Sequence, residues 1–391
     1  MKKGLHVYVH IPFCLKKCYY CDFSSVGMDA MSGRAENIFG SYYERLKKEL
    51  DFRSKELKKS CSISTIYFGG GTPPVAGIDR LAGFLKNISE IFDVQKDAEI
   101  TFETNPAILD EEGFSLLKKA GFNRVSIGTQ SFDDPALKML GRAHNAKDAL
   151  NSVSAAASGG FENISIDLMI ALPEKPGKKT SAFDGADIPY KSVSHISAYQ
   201  FSVCEATVID RLVSKGELEK ADEETTAGVY LDMCEKLKKA GYLQYEISNF
   251  AKSVKFISRH NYSYWSGEDY IGLGASAVST LGRERATNLS DIHEYIASEV
   301  SSAKSRFVEK LSDMDVMTEK IMLGLRTYEG LRKCAIGSNE YKKIFDRTGK
   351  MLRKLNDEGF LTADGEAIKL MPKGYMVMNN IAVIIARALE N

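Results

Sequence analysis

Along the first half of the chain, short apolar runs that end in polar or glycine residues alternate with segments of helical period. The apolar runs, each predicted to be a strand, begin at His6, Ser64, Ala98, Arg124, Asn163 and His195. The amphipathic segments, each predicted to be a helix, begin at Tyr42, Asp79, Leu109 and Ala146. Short apolar runs are typical of strands, whereas apolar residues three and four apart are typical of helices. The pattern therefore predicts a series of six βα units.

Strands that alternate with helices predict a parallel sheet with right-handed crossovers, either a closed or part-closed barrel or a doubly wound sheet. In both architectures the functional groups collect at the carboxyl ends of the strands. Here those ends read PFC, GGGTP, ETNP, GTQS, DLMIALP and FSV, which are more polar and glycine-rich than the strands they close. We therefore expect the functional site at this end of the sheet.

The alternation weakens after Asp222. The segment SRHNYSYWSGEDYIGLG, which starts at Ser258, is rich in aromatics and glycine and resembles a functional loop more than a helix. From about residue 301 the composition shifts to charged helical segments, followed by a helix, a short strand pair and a closing helix. The sequence predicts two domains, residues 1–300 and a small winged-helix-like domain over residues 301–391.

Composition narrows the class of protein. Lys plus Arg and Asp plus Glu both total 52 in a chain of 391 residues, so no net charge points to nucleic acid or an anionic membrane as the main partner. No signal peptide and no run of roughly 18 apolar residues is present in the sequence. We therefore expect a cytoplasmic protein with at most peripheral membrane contact. There the seven cysteines, an odd number, favour metal binding or catalysis over disulfides.

Three of those cysteines lie in the stretch CLKKCYYC, at Cys14, Cys18 and Cys21, directly after the first predicted strand. A structural zinc site needs a fourth ligand and usually presents two separated pairs, and no fourth ligand is close in sequence. Most iron-sulfur clusters also take four cysteines. Three thiolates on one tight loop suit a [4Fe-4S] cluster whose fourth iron is open to another ligand. Incidental surface cysteines are the alternative.

These residues resemble the signature of the radical S-adenosylmethionine (SAM) superfamily. More narrowly, VYVHIPFCLKKCYYCDF, YFGGGTPP, GFNRVSIGTQSFDDPALKMLGRAHN and SRHNYSYWSGEDYIGLG are similar to motifs of the HemW heme chaperone family, paralogues of oxygen-independent coproporphyrinogen III oxidase. The resemblance runs from about His6 to Gly274 and weakens through the C-terminal domain. It implies a partial (β/α)6 TIM-like barrel that holds the cluster and SAM at its open end.

The resemblance also implies roles for individual residues in SAM binding. It implies backbone approach to the methionine amino group at Gly70, Gly71 and Thr72, contacts from Tyr8 and Glu103, hydrogen bonds from Gln130 and Asp167, and a carboxylate pair with Arg142. The residue types suit these roles, because carboxylates bind ribose hydroxyls and guanidinium binds carboxylate. Taken singly, Asp167 has an alternative as a helix cap, Arg142 as a surface ion pair and Tyr8 as a core residue.

Position 23 separates the two paralogues. The oxidase continues the cysteine motif with a fourth cysteine, whereas this chain has Phe23, as the chaperones do, and it lacks the longer leader of the oxidase. HNYSYW matches the HNxxYW motif implicated in heme handling, so His260 is the preferred heme ligand, with a hydrogen-bonded structural histidine as the alternative. The chain departs from the family at Val278, where many relatives have histidine. The absence of a histidine at position 278 affects whether heme binds and how it binds.

Two functions follow from the resemblance. The first is a heme chaperone that delivers heme to a client hemoprotein, with the cluster needed for transfer or dimerisation and SAM cleaved slowly. The second is a radical enzyme acting on a tetrapyrrole, such as coproporphyrinogen III oxidase, which Phe23 and the HNxxYW motif disfavour. A small reductant protein of flavodoxin or ferredoxin type is the expected electron donor, and nucleic acid is not an expected partner.

Overall fold

Six parallel strands form the central part of the fold in the computed structural model, which describes residues 2–31, 33–178 and 183–390. They are β1 (Lys3–Ile11), β2 (Cys61–Gly70), β3 (Val94–Thr104), β4 (Arg124–Gln130), β5 (Asn163–Ile170) and β6 (His195–Gln200). Each strand pairs in parallel with the next one along the chain. The predicted series of βα units and the part-closed barrel are confirmed.

Further strands extend this sheet on both sides to twelve strands within the described residues. They are β7 (Leu243–Gln244), β8 (Asn249–Ala251), β9 (Tyr270–Leu273), β10 (Val278–Leu281), β11 (Glu284–Asn288) and β12 (Arg306–Lys310). β8 is antiparallel to β6, β9 is parallel to β1, and β10 to β12 continue as antiparallel neighbours. β12, which follows the domain boundary predicted at residue 300, pairs with β11 of this sheet.

Helices pack against the sheet and build the C-terminal domain. Those of the barrel and its extension are α1 (Ala35–Leu57), α2 (Ile78–Ile91), α3 (Glu111–Ala120), α4 (Asp134–Met139), α5 (Ala146–Ser158), α6 (Val208–Ser214), α7 (Glu223–Lys239), α8 (Arg259–Trp265) and α9 (Ile292–Ala297). The sequence predicted a loop where α8 lies, and that prediction is wrong. Ser258 caps the first turn, since its side chain accepts from the Asn261 amide.

The C-terminal domain packs helices on a small antiparallel sheet. Its helices are α10 (Asp313–Leu325), α11 (Lys333–Ile336), α12 (Ser338–Asp357), α13 (Pro372–Tyr375) and α14 (Met378–Arg387). Its strands, paired in the order β13, β15, β14, are β13 (Leu331–Arg332), β14 (Leu361–Ala363) and β15 (Ala367–Leu370). None of the helices in the described ranges has the length and apolarity needed to cross a membrane.

Side chains alternate along the barrel strands between an apolar outer layer and a polar interior. On β1, Leu5 and Val7 are buried in the main hydrophobic core, while His6 between them bonds Thr65 on β2. Glu99 and Arg124 are likewise buried. The outer layer packs under the helices, since residues of alternate direction on a strand meet opposite faces of the sheet. The barrel interior therefore holds a layer of hydrogen-bonding groups beneath the strand ends.

Candidate functional site

The cysteine motif forms a compact loop at the carboxyl end of β1. Cys14 ends a short strand, Phe13–Cys14, that pairs in parallel with Val26–Gly27. The Cys21 amide donates to the Cys18 carbonyl over 3.3 Å and closes a turn. All three thiols are half-buried. Burial raises the pKa of Cys14 and Cys21, which disfavours the thiolate form. A bound metal lowers the pKa of a thiol, so ionisation of both thiols is expected when a metal is bound.

A chain of polar contacts ties this loop to the ends of three other strands. The Thr72 hydroxyl lies 3.6 Å from Cys14 Sγ, and Asn105 Nδ2 donates to Thr72 Oγ1 over 2.7 Å. Arg142 Nη2 donates to Asn105 Oδ1 over 2.6 Å, while its Nη1 lies 3.2 Å from Cys18 Sγ. The loop is thereby held by side chains that follow β2, β3 and β4. Sequence reasoning missed Asn105, although the polar strand end ETNP contained the signal.

Arg142 lies beside the cysteine loop rather than on the surface, so the surface ion-pair alternative is wrong. Besides Asn105 and Cys18, its guanidinium donates to the Gly128 carbonyl over 2.5 Å. Its Nε is buried and has no hydrogen-bond partner. A buried donor without a partner is costly, and such groups often mark a ligand site. Arg142 Nε is therefore a buried donor without a partner beside the cysteine loop.

Glu103 is the buried acid of the site. Its carboxylate accepts hydrogen bonds from the Tyr67 hydroxyl over 2.7 Å and from the Gly70 amide over 3.0 Å. The Tyr8 hydroxyl lies 2.9 Å from His10 Nδ1. Tyr8, His10, Gly70 and Glu103 all line one cleft. The structure thus brings together three residues, Tyr8, Gly70 and Glu103, that the sequence predicts for SAM binding.

Glu103 gives the protein a measurable pH dependence. Desolvation raises the pKa of this carboxyl from 4.5 to about 7. The carboxyl binds its proton more tightly in the folded state than in the unfolded state. The free energy of unfolding therefore falls as the pH rises from 4.5 to about 7 and levels off above pH 7. We expect the unfolding free energy of the wild type to fall relative to that of Glu103→Gln between pH 4.5 and 7. Urea unfolding of both proteins without SAM measures it, and parallel pH profiles would contradict the assignment.

Gln130 and Asp167 lie on the neighbouring strands. Gln130 has a φ of 65°, a left-handed backbone conformation that few residues other than glycine adopt. Asp167 accepts from the Ser126 hydroxyl over 3.0 Å and does not cap a helix. Burial raises its pKa. A strained backbone and a buried carboxyl are features that cluster at functional sites.

The cleft that contains Glu103 runs from the strand ends to the C-terminal domain and has a volume of about 920 Å³. Its lining is largely aromatic and apolar, with Phe23, Tyr262, Tyr264, Trp265, Tyr270, Val278, Leu311, Met322 and Leu323. Phe23 is 65% exposed. The Trp265 ring lies 4.5 Å from the Arg326 guanidinium, and its indole N–H has no hydrogen-bond partner. The structure places Val278, the departure from the family motif, in this wall.

His260, the predicted heme ligand, lies inside the barrel and is 1% exposed. Its Nδ1 is 2.6 Å from Thr65 Oγ1 and its Nε2 is 2.8 Å from the Tyr264 hydroxyl. Its ring stacks on Tyr67 at 5.1 Å. Because both nitrogens are engaged, His260 has no free nitrogen for a ligand in the cleft. The alternative of a hydrogen-bonded structural histidine describes its geometry.

Sequence reasoning missed the polar residues that surround His260. His6 bonds Thr65 over 2.8 Å and Glu268 over 3.0 Å. Glu99 accepts from the amides of Arg259 and His260, both over 3.0 Å. The signal was the polar residue at every second position of β1 and β3, which indicates side chains that point into the barrel.

Comparison with known proteins identifies relatives over the whole chain. Residues 8–179 match the family model of the radical SAM superfamily, and residues 311–377 match that of the HemN C-terminal domain. The heme chaperone HemW of Lactococcus lactis is 34% identical over 97% of this chain and 97% of its own length. The heme chaperone HemW of Bacillus subtilis is 31% identical over 96% of this chain and 97% of its own length.

A solved structure has the same fold. Coproporphyrinogen III oxidase (HemN) from Escherichia coli, a radical SAM enzyme, aligns with a TM-score of 0.81 at 22% identity. The alignment covers 99% of this chain and 91% of that chain. At this identity the likeness establishes the architecture, including the C-terminal domain.

The radical SAM superfamily implies a [4Fe-4S] cluster and SAM, and the residues at the strand ends fit both. The described residues hold no group of three His, Cys, Asp or Glu placed to bind one metal ion. A [4Fe-4S] cluster is instead held by cysteine thiolates, and the loop supplies Cys14, Cys18 and Cys21. A Cβ on Gly71 would lie 2.7 Å from the Phe13 carbonyl, so only glycine leaves the backbone free there. When bound, the cluster supplies an electron that cleaves SAM.

Sequence, fold and site geometry agree on the affiliation. Two relatives above 30% identity match the chain from end to end, and the match extends through both domains. The chain belongs to the HemW family of the radical SAM superfamily.

Proposed function

We propose that the protein is a heme chaperone, which binds heme in the cleft and delivers it to client hemoproteins in the cytoplasm. The single observation that carries the proposal is this cleft of about 920 Å³, which has aromatic walls and opens between the barrel and the C-terminal domain. Ligand pockets for molecules of this size are concave and largely apolar, with a few polar groups. The full-length relatives named heme chaperone HemW support the same function.

The cofactor part of the proposal assigns the strand-end residues. Cys14, Cys18 and Cys21 hold a [4Fe-4S] cluster and leave its fourth iron open to SAM. The residues assigned to SAM are Tyr8, Gly70, Gly71, Thr72, Glu103, Gln130, Arg142 and Asp167. The contacts of Arg142 with Cys18 and Asn105 support this assignment, because they join the cysteine loop to the other strand ends.

Heme binding predicts a difference between two exposed phenylalanines. Phe23 lines the cleft, whereas Phe307 lies on β12 and is not part of its lining. Both side chains are about two-thirds exposed, so neither substitution by alanine disturbs the core. We expect Phe23→Ala to weaken heme binding on the order of tenfold, because an aromatic contact with the porphyrin is lost. Phe307→Ala should leave the affinity unchanged.

Titration of the anaerobically reconstituted protein with ferric heme, followed by absorption in the Soret region, measures this difference. The wild type should bind one heme per chain. Absence of binding by the wild type would overturn the proposed function. Equal affinities of the two variants and the wild type would place the heme outside the cleft.

One observation supports a second candidate function, a radical enzyme that acts on a tetrapyrrole. Tyr8 and Glu103, assigned to SAM, line the same cleft as Trp265. A ligand in the cleft would therefore lie beside SAM, as a radical enzyme acting on a tetrapyrrole requires. Incubation with SAM, a flavodoxin-type or ferredoxin-type reductant and coproporphyrinogen tests this function. Formation of deoxyadenosine coupled to loss of the porphyrinogen would favour the enzyme over the chaperone.

A further inference from the structure

We propose that the phenol oxygen of Tyr264 binds the iron of heme in the cleft, and that a hydrogen-bonded chain from His260 to Glu268 removes the phenol proton. This inference rests on the proposed function and identifies the heme ligand within it. It assigns His260 a positioning role, through Tyr264, in place of direct iron binding.

The histidines of the site do not offer a nitrogen to the iron. His260 is buried with both ring nitrogens engaged. His10 is the one histidine that lines the cleft in the described part of the chain. Its Nδ1 lies 2.9 Å from the Tyr8 hydroxyl and its Nε2 lies 2.8 Å from the Ser24 carbonyl. Besides histidine, protein ligands of heme iron include tyrosine, methionine and cysteine.

Tyr264 lines the cleft and begins a continuous hydrogen-bonded chain. Its hydroxyl lies 2.8 Å from His260 Nε2, and His260 Nδ1 lies 2.6 Å from Thr65 Oγ1. Thr65 Oγ1 lies 2.8 Å from His6 Nδ1, and His6 Nε2 lies 3.0 Å from the Glu268 carboxylate. Glu268 also lines the cleft, and its side chain is 53% exposed, so the hydrogen-bonded chain ends at a carboxylate that solvent can reach.

The ends of the chain assign the direction of every hydrogen bond in it. An ionised carboxylate only accepts, so His6 Nε2 carries a hydrogen, and in the neutral imidazole His6 Nδ1 then accepts from the Thr65 hydroxyl. Thr65 then accepts from His260 Nδ1, and His260 Nε2 accepts from the Tyr264 hydroxyl. The hydrogen bond from His6 lowers the pKa of Glu268, which keeps this carboxylate ionised. All donors therefore point from Tyr264 towards Glu268.

The binding of heme iron by Tyr264, with proton transfer along the hydrogen-bonded chain, is balanced in atoms and charge. Ferric heme releases a bound water, the bond between iron and the Tyr264 oxygen forms, and the O–H bond breaks. The proton passes to His260 Nε2, while His260 Nδ1 passes its proton to Thr65, Thr65 to His6, and His6 to the Glu268 carboxylate. The direction of every bond reverses, and none of the buried groups between Tyr264 and Glu268 keeps a charge.

The Tyr8 hydroxyl also lies next to an imidazole, but the hydrogen bonds of that imidazole do not lead to a group that accepts its proton. Its partner His10 donates from Nε2 to the Ser24 carbonyl, and a peptide carbonyl does not pass a proton on. Among the described tyrosines of the cleft, Tyr8 and Tyr264 are those with a hydroxyl on an imidazole nitrogen. Tyr264 is therefore the phenol that loses its proton to solvent when iron binds.

The test compares ferric heme complexes of the anaerobically reconstituted protein by resonance Raman and EPR spectroscopy. The wild type should show phenolate vibrations and a high-spin ferric signal. Tyr264→Phe should lose the phenolate vibrations and bind heme on the order of tenfold more weakly. Tyr270→Phe is the matched control, because Tyr270 lines the same cleft and its ring packs on Tyr264 at 4.6 Å. It should keep both signals.

A second pair of variants tests the chain of hydrogen bonds. Thr65→Val removes the hydroxyl between the two histidines and should lower the phenolate-bound fraction of heme. Thr65→Ser keeps that hydroxyl and should restore the phenolate-bound fraction, an outcome that a purely structural role for Thr65 does not predict.

The outcomes separate this inference from the proposed function. Absence of heme binding by the wild type overturns the proposed function. Heme binding with a spectrum unchanged in Tyr264→Phe overturns the ligand assignment alone. Met322 also lines the cleft and is exposed, so a wild-type spectrum without phenolate vibrations that changes in Met322→Leu would assign the iron to its thioether and overturn Tyr264.

Discussion

Replacing Cys18 by alanine is expected to abolish binding of the [4Fe-4S] cluster. Two thiolates remain on the loop, and the chain offers no cysteine next to them in sequence to replace the third. The substitution also removes the sulfur that lies 3.2 Å from Arg142 Nη1, so this guanidinium keeps its charge beside an empty position. A buried cation without its partner is costly. We expect the iron and sulfide content to fall to the background of the unreconstituted protein.

Iron and sulfide analysis after anaerobic reconstitution measures this loss, together with the EPR signal of the reduced cluster. Cys334→Ala is the matched control, because Cys334 is an exposed cysteine in the C-terminal domain. It should bind a full cluster. Retention of the cluster by Cys18→Ala would show that this thiol is not a ligand and would remove the basis for the SAM site.

The second large effect concerns stability. Glu99 is a buried carboxylate in the barrel interior that accepts hydrogen bonds from the Arg259 and His260 amides, at the start of α8. It also attracts the buried guanidinium of Arg124, of which Nε and Nη1 have no hydrogen-bond partner. Breaking one side of a buried charge pair costs about 3 to 5 kcal/mol. We expect Glu99→Ala to lower the free energy of unfolding by this amount.

Urea unfolding at constant pH and salt measures this effect. Glu90→Ala is a suitable control, because Glu90 is exposed and its nearest cation, Lys86 Nζ, lies 3.7 Å away. Such a surface pair contributes about 0 to 1 kcal/mol. Glu99→Gln keeps acceptor oxygen but removes the charge, so we expect an intermediate loss. Equal stability of Glu99→Ala and Glu90→Ala would contradict the role assigned to Glu99 in holding α8 on the barrel.

The interior of the barrel predicts a link between heme binding and stability in this protein. Glu99 holds the first turn of α8, and α8 carries both His260 and Tyr264. Tyr264 lines the cleft proposed for heme. We therefore expect substitutions of Glu99 to displace groups at the cleft, and heme titrations of these variants should be compared at equal fractions of folded protein.

The strands of the barrel could be predicted from the sequence because their signal is local. The last three strands begin at the predicted residues, and the first three begin three or four residues earlier than predicted. Those early residues include Lys3 and Lys96, which are exposed side chains on strands and weaken the apolar pattern. The cysteine spacing is also local, so the motif at Cys14, Cys18 and Cys21 was recognisable without a structure.

The sequence by itself determined the βα order, the glycine and cysteine motifs and the family, since each depends on neighbouring residues. Only the tertiary structure decided what His260 does. The motif marked this residue, but its nitrogens are taken by Thr65, on a strand almost 200 positions earlier, and by Tyr264, one helical turn away. The closed curvature of the sheet brings β1, β2 and α8 together, and hydrogen bonds across such distances in sequence leave no periodic trace in the chain.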